Sequence, residues 1–225
     1  MRNPPQLNHR YTEKPRLLDL FCSAGGCTKG YQNAGFHVTG VDIEAQPRYV
    51  GDVFVQGDAL DYLAQHGHEY DAIGASPPCQ GYSVTRQLTG KAHPLLIDQV
   101  RRLLQDSGKP YIIENVPGAP LINPVVLVGS MFRLMTMRPR LFECSFDMPF
   151  VLAPPPAAKH ARMGRRPKAG EYVHVVGHMS GVAYCRAAMG IDWMNRNELS
   201  QAIRPAYTEL VGHQLATHLK AAQRG

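Results

Sequence analysis

The chain has 225 residues with 44% hydrophobic content, enough for one sizeable core, and its 24 lysines and arginines outweigh 18 acids to leave a net charge of +6 and a pI near 9.1, a balance that suits a polyanionic partner. No apolar run of about 18 residues is available to span a bilayer, and the polar N-terminus with prolines at 4 and 5 is unlike a signal peptide. Five cysteines, at 22, 27, 79, 144 and 185, are an odd number without a disulfide rhythm, so the sequence predicts a soluble, monomeric protein of a reducing cytoplasm.

Residues 1–14 are polar and Pro-containing and form an arm without an assigned role. Arg16 to Phe21 reads as a first strand, followed by the turn Cys22-Ser23-Ala24-Gly25-Gly26 and a helical pattern to Ala34. Adjacent glycines at a strand-to-helix turn admit a ligand close to the backbone, and the helix start offers free amide donors. The dinucleotide and nucleoside-triphosphate patterns are not met, since Gly25-Gly26 is not G-x-G-x-x-G and no G-K-[ST] follows. Phe36 to Asp42 is a second alternating strand that ends in an acid. At this distance from the first turn an acid can accept both hydroxyls of a ribose, or it can cap a turn or helix. Asp52 to Gly57 is a third strand, ending at Asp58.

Tyr70 to Ile73 reads as a buried strand that delivers Gly74-Ala75-Ser76-Pro77-Pro78-Cys79-Gln80-Gly81-Tyr82-Ser83. Open α/β sheets bind ligands beyond the carboxyl ends of their strands, and two prolines stiffen a loop enough to aim a thiol. Apolar residues at 95, 96, 97, 100, 103 and 104 predict a helix over 94–107. A strand from Tyr111 to Val116 carries Glu114, while Leu127 to Phe132 and Arg140 to Cys144 read as later strands, the second bringing Arg138 and Arg140. Over 145–181 the pattern fails. This segment holds Lys159, Arg162, Arg165, Arg166 and Lys168 in a ten-residue window without an acid, and it is either a solvated linker or an arm that meets nucleic-acid phosphates. Helices follow over 182–190, 195–202 and 206–222.

Pro77-Pro78-Cys79-Gln80, Glu114-Asn115-Val116 and Arg138-Pro139-Arg140, in that order after Asp19-Leu20-Phe21-Cys22-Ser23-Ala24-Gly25-Gly26, strongly resemble the DNA cytosine-5 methyltransferases. The resemblance covers 17–143 well and 186–218 loosely. It implies an α/β fold, a Rossmann-like class I S-adenosylmethionine-dependent methyltransferase sheet with helices on both faces and a small irregular recognition segment. The implied organisation is an arm at 1–14, a cofactor-binding and catalytic core at 15–144, a reduced recognition segment at 145–181 and C-terminal helices at 182–225.

The same resemblance implies cofactor contacts from Phe21, Ser23, Ala24, Gly25 and Gly26, from Asp42 to the ribose, from Ile43 beside the adenine, and from Asp58, Ala59 and Pro78, with Asp61 competing with Asp58 for the adenine amino group. Tyr207 and Thr208 stand near the place where the family usually has a Gly-Asn pair, and they are assigned the contact that pair makes. Thr136 stands where the family commonly has Gln. Gln80, Ser83, Lys159, Arg162, Arg165, Arg166 and Lys168 are the implied DNA contacts, and double-stranded DNA the implied partner. The shortened segment predicts recognition of only a few base pairs.

Carbon 5 of cytosine is a poor nucleophile, so a thiolate must first add to carbon 6. Cys79 is the nucleophile, activated by nearby cations or by losing its proton as the bond forms. Glu114 meets N3 and the exocyclic amine, Arg140 holds O2, and Arg138 steadies the loop or the ring. An RNA cytosine-5 methyltransferase and a catalytically silent nucleic-acid-binding partner are the alternatives. A metal site is not expected, because Cys22 and Cys27 lack a second pair, and His174, His178 and Cys185 share a face only if one helix crosses Gly177 and Gly181.

Overall fold

The computed structural model describes residues 14–79, 95–149, 159–162, 165, 167–168, 170–176, 179 and 181–224. Seven strands form one mixed sheet: β1 (Arg16–Leu20), β2 (His37–Asp42), β3 (Val53–Gln56), β4 (Ala72–Ala75), β5 (Tyr111–Asn115), β6 (Val125–Leu127) and β7 (Arg140–Cys144). Their spatial order is β3-β2-β1-β4-β5-β7-β6. The first five are parallel, and β7 lies antiparallel between β5 and β6. The helices are α1 (Gly26–Asn33), α2 (Ala59–His66), α3 (Ile97–Asp106), α4 (Val182–Met189), α5 (Arg196–Gln201) and α6 (Pro205–Ala222).

Strand side chains alternate between two cores, as the period of 2 requires. Leu17, Ala72 and Ile112 face one side with Tyr31 of α1 and Tyr207, Val211 and Leu215 of α6. Their neighbours Leu18, Ile73 and Ile113 face the other with Leu63 of α2 and Val100 and Leu104 of α3. Both faces are covered, so the central strands are apolar throughout.

Two expectations change. The strand read over 127–132 lies earlier, at Val125–Leu127, and Gly129–Phe132 is a 3₁₀ turn. The amide of Gly129 bonds the Met137 carbonyl, which folds this stretch back on the approach to β7. The segment 145–181 is also more than a solvated linker. Val173, Val175 and Met179 are buried with Cys185, Met189 and Leu199 in a third apolar cluster on α4 and α5. Alternating valines at 173 and 175 reach that cluster in strand-like fashion, a pattern too short to stand out beside the neighbouring prolines and arginines.

Helices α1 and α6 pack closely because glycines meet at their contact. A methyl group on Gly30 would collide with Thr208 Oγ1 and the Pro205 carbonyl, and one on Gly212 would fall 2.7 Å from Ala34 Cβ. Gly30→Ala should therefore destabilise the protein by about 1–3 kcal/mol in urea unfolding, despite alanine's higher helix propensity. Gly57→Ala, whose methyl group would enter open space, should change stability by no more than about 0.5 kcal/mol.

Candidate active site

The carboxyl ends of β1, β2, β4 and β5 share one edge of the sheet. Because β7 runs the other way, its amino end and the preceding Arg138 and Arg140 arrive at that same edge. A cavity of about 840 Å³ opens there. Phe21, Ser23, Gly26, Asp42, Ile43, Asp58 and Ala59 line one part of it, and Pro78, Cys79, Glu114, Arg138 and Arg140 another.

The turn after β1 is held in unusual backbone geometry, with Phe21 at φ 59, Ser23 at φ 45 and Gly25 at φ 86. Left-handed conformations at non-glycine residues persist only where surroundings fix them. Here Asp42 does so, its Oδ2 accepting from the Ser23 amide at 2.9 Å and its Oδ1 from Glu44 at 3.0 Å. Asp42 thus has the turn-binding role and also faces the cavity. Asp58 likewise caps α2 through the amides of Leu60 and Asp61 while lining the cavity, which Asp61 does not. Ile43 is 68% exposed at the cavity surface.

The loop after β4 is fixed from β5. Asn115, itself 1% exposed, donates from Nδ2 to the Pro77 carbonyl at 2.9 Å. Beside it Glu114 is buried, and burial raises its carboxyl above the ordinary range while Arg140 and then Ser76 oppose the shift. Arg140 Nε lies 3.1 Å from Glu114 Oε1, yet both atoms are buried without a hydrogen bond. Two unsatisfied polar atoms at a cavity wall suit a polar ligand that would complete them. Cys79 is half-buried; burial raises its thiol, Arg140 pulls it back and Glu114 pushes it up. Of the two expected routes to the thiolate, a resident anion is therefore disfavoured, and loss of the proton during bond formation remains.

Arg138 is a clamp. Its Nη1 donates to the Val175 carbonyl and its Nη2 to Ser200 at 2.5 Å. It thereby ties the stretch at Val175 and α5 to the cavity edge. Burial, Arg140 and Arg204 lower its guanidinium to about 9.

Several predicted contacts lie elsewhere. Tyr207 and Thr208 are fully buried behind the cavity, Thr208 donating to the Cys27 carbonyl at 2.8 Å and Tyr207 Oη lying 3.0 Å from the Arg138 carbonyl. Ala202 and Ile203 line the cavity in their place. The reason is the helical phase of α6, which turns 207 and 208 toward α1 and the sheet. Ala24 and Gly25 do not line the cavity either; Ala24 packs in the third cluster and its carbonyl accepts from Trp193 Nε1 at 2.8 Å. In the basic window Lys159, Arg162 and Lys168 are exposed, whereas Arg165 is paired with Glu171 at 2.6 Å. Gln80, Ser83 and Arg166 lie outside the described residues, as does His178. Among the described residues no three potential ligands gather as for a metal ion, and no helix is long and apolar enough to cross a membrane.

Sequence reasoning missed the wall formed by Met194, Glu198, Ser200 and Gln201 around α5, and it missed Asp19. Asp19 is 1% exposed; its Oδ2 accepts from Thr28 Oγ1 at 2.5 Å and its Oδ1 has no partner. An acid at an inward position of an apolar strand was the available signal.

The strand order and helix placement are those of class I S-adenosylmethionine-dependent methyltransferases. A solved chain described as a prophage-encoded DNA modification methyltransferase of E. coli matches 92% of this chain and 99% of its own at a TM-score of 0.66, with 14% identity. S. pombe Dnmt2 matches 93% and 99% at 0.61, with 12% identity. The model of the C-5 cytosine-specific DNA methylase family matches residues 15–122. Type II methyltransferase M.XorII of Xanthomonas oryzae pv. oryzae is 32% identical over 122 residues, 47% of this chain and 29% of its own length. M.FnuDI of Fusobacterium nucleatum is 29% identical over 114 residues, 46% and 33% of the two chains. The matches therefore span about a third of these curated relatives.

Burial is the main cause that raises Asp19 to about 7 from an ordinary 3.8; the Thr28 hydroxyl opposes it, and Asp42 and Glu114 add to it. A raised folded-state value gives stability that is full below the unfolded value and is lost as pH rises through the folded one. Wild-type melting temperature should fall between pH 4 and 7, and Asp19→Asn should reduce that fall by roughly 5–10 °C. Parallel melting curves for the two proteins across this window would contradict the assignment.

Proposed function

We propose that this protein is a DNA cytosine-5 methyltransferase that uses S-adenosylmethionine and forms a covalent bond between Cys79 and a flipped-out cytosine within a short recognition sequence. The observation that carries this reading is the convergence of Cys79, Glu114 and Arg140 on one wall of a cavity whose other wall holds Asp42, Asp58 and Ile43. The residues fit the cofactor. Asp42 can accept from the ribose hydroxyls, Phe21 and Ile43 can flank the adenine, and the unpartnered, buried Asp19 Oδ1 suits a cationic group. S-adenosylmethionine, when bound, supplies the methyl group that carbon 5 accepts.

The chain's own residues do the rest. Cys79 gives up its proton to solvent water as its sulfur bonds to carbon 6, because burial disfavours a free thiolate. Negative charge then builds toward N3 and O2 of the ring. Glu114, whose carboxyl burial raises above its ordinary range, donates at N3 in its protonated form and accepts from the exocyclic amine. Arg140, whose Nε faces Glu114 Oε1 at 3.1 Å, supplies positive charge toward the same place. Loss of the carbon 5 proton and departure of Cys79 restore the ring. Flipping the base costs a few kcal/mol, offset by phosphate contacts from Lys159, Arg162 and Lys168, which are exposed.

Mass-spectrometric nucleoside analysis of duplex DNA and of RNA, each incubated with the protein and S-adenosylmethionine, tests the reading. 5-Methylcytosine should appear in DNA, vanish with Cys79→Ala, and form about 10²–10⁴-fold more slowly with Glu114→Gln. Methylation of RNA alone would replace the DNA assignment, and product formation by Cys79→Ala would end the covalent one.

A further inference from the structure

Arg204 is the largest fully buried side chain among the described residues, at 0% exposure. Its guanidinium Nη2 donates to Thr136 Oγ1 at 2.6 Å, and its Nη1 donates to Tyr207 Oη at 2.8 Å and to the Arg138 carbonyl at 3.1 Å. Among the described residues no carboxylate pairs with it, and burial lowers it to about 10, so it remains a cation at neutral pH. Removing such a charge from water without a counter-ion is costly. A neutral residue could fill the same volume at less cost, so the charge itself has work in this place.

Two of the groups it grips, the Thr136 hydroxyl and the Arg138 carbonyl, belong to one short stretch, 136–140, and the third, Tyr207 Oη, itself donates to that Arg138 carbonyl. Within it Arg138 has φ 34, a left-handed conformation that costs free energy at a non-glycine residue and persists only when the surroundings fix it. Three contacts supply that fixing: Arg204 and Tyr207 at the Arg138 carbonyl, and Arg204 at Thr136. The turn they hold directs Arg138 toward the Val175 and Ser200 carbonyls and leads straight into Arg140, whose Nε faces Glu114. Besides the shortened segment at 145–181, Thr136 and the stretch that contains Arg204 are the places where the sequence departs from the pattern it resembles. In the fold these departures touch.

We propose that Arg204 and Thr136 form a buried clamp that sets the Arg138-Pro139-Arg140 turn, making both positioning residues for the addition of Cys79 to the base. The clamp acts through the turn, since neither residue lines the cavity. This rests on the activity proposed above. Thr136 stands in for a longer amide by offering a single hydroxyl, and Arg204 supplies the reach from α6. The guanidinium groups of Arg138, Arg140 and Arg204 favour a transition state in which the ring becomes negative.

The test uses the full chain, S-adenosylmethionine and a polymerase-made duplex in which every cytosine is 5-fluorocytosine, with covalent adduct followed on denaturing gels. Cofactor affinity is measured by calorimetry on the same samples, at a temperature where circular dichroism shows each variant folded. Thr136→Val should slow adduct formation about 10-fold, the effect of losing one hydrogen bond to a charged group, with cofactor affinity unchanged. Thr136→Ser, which keeps the hydroxyl, should react within about twofold of wild type. Arg204→Met should be at least as slow as Thr136→Val, and combining the two should add no further loss. Should Arg204→Met not fold, the Thr136 pair decides alone. Wild-type rates in Thr136→Val, or a loss matched by weaker cofactor binding, would overturn the clamp. A wild type that binds cofactor but forms no adduct would instead overturn the activity on which the clamp rests.

Discussion

Strand β7 runs against its neighbour β5, with Asn115 opposite Leu141 and Glu114 opposite Phe142. Five parallel strands, β1–β5, end at one edge of the sheet, and only a reversed strand can begin there. The reversal therefore lets residues that precede a strand meet residues that follow others. Glu114 comes from the end of β5, Cys79 from the loop after β4, and Arg140 from the start of β7. The pairing is itself secured behind the site. Arg101 of α3 donates to both oxygens of Glu143 on β7, at 2.8 and 2.9 Å, and Glu143 also accepts from the Ile122 amide at 2.8 Å. A buried bidentate pair with its remaining lone pairs used is the geometry in which such a pair fixes register.

Electrostatics at the edge follow from dryness. Burial raises Asp19, Cys79 and Glu114 and lowers Arg138 and Arg204. Every one of these shifts is toward the neutral form, so the site resists resident charge and gains from charge that appears only during reaction. Glu114 shows the balance most clearly: Arg140 stands 3.1 Å away, yet burial outweighs it. The upward shift favours the protonated carboxyl, a hydrogen-bond donor where an ionised one would only accept.

Chain order and residue type made much of this visible in advance. The five parallel strands fall within a residue or two of their expected bounds, because strand periodicity and the Gly and Pro signals around them agree. Cys79, Glu114, Arg138 and Arg140 were found because each stands at a strand end, where the period-2 pattern gives way to polar residues. What escaped was set by contacts distant in sequence. Asn115 has no role that its sequence position declares; its bond to the Pro77 carbonyl makes it the brace of the thiol loop. Tyr207 and Thr208 were misplaced because the phase of α6 depends on packing against Gly30 and Cys27, which no local signal encodes. Arg165 looked free because Glu171, its partner, lies outside the basic window.

The segment before α4 is joined through its backbone to the turn that carries Arg140. Val173 and Val175 bury their side chains against α4 and α5, and the Val173 amide bonds the Met135 carbonyl at 2.8 Å. One residue further on, Thr136 meets Arg204, and Arg138 reaches back to the Val175 carbonyl. The segment is thus hydrogen-bonded at two points to the turn that carries Arg140. A displacement of 173–175 on nucleic acid would strain both points, and the strain would be felt at Arg138 before it reached the cofactor side of the cavity. A large separate recognition domain joined by a linker has no such direct path. In this chain the connection is a few ångströms of backbone.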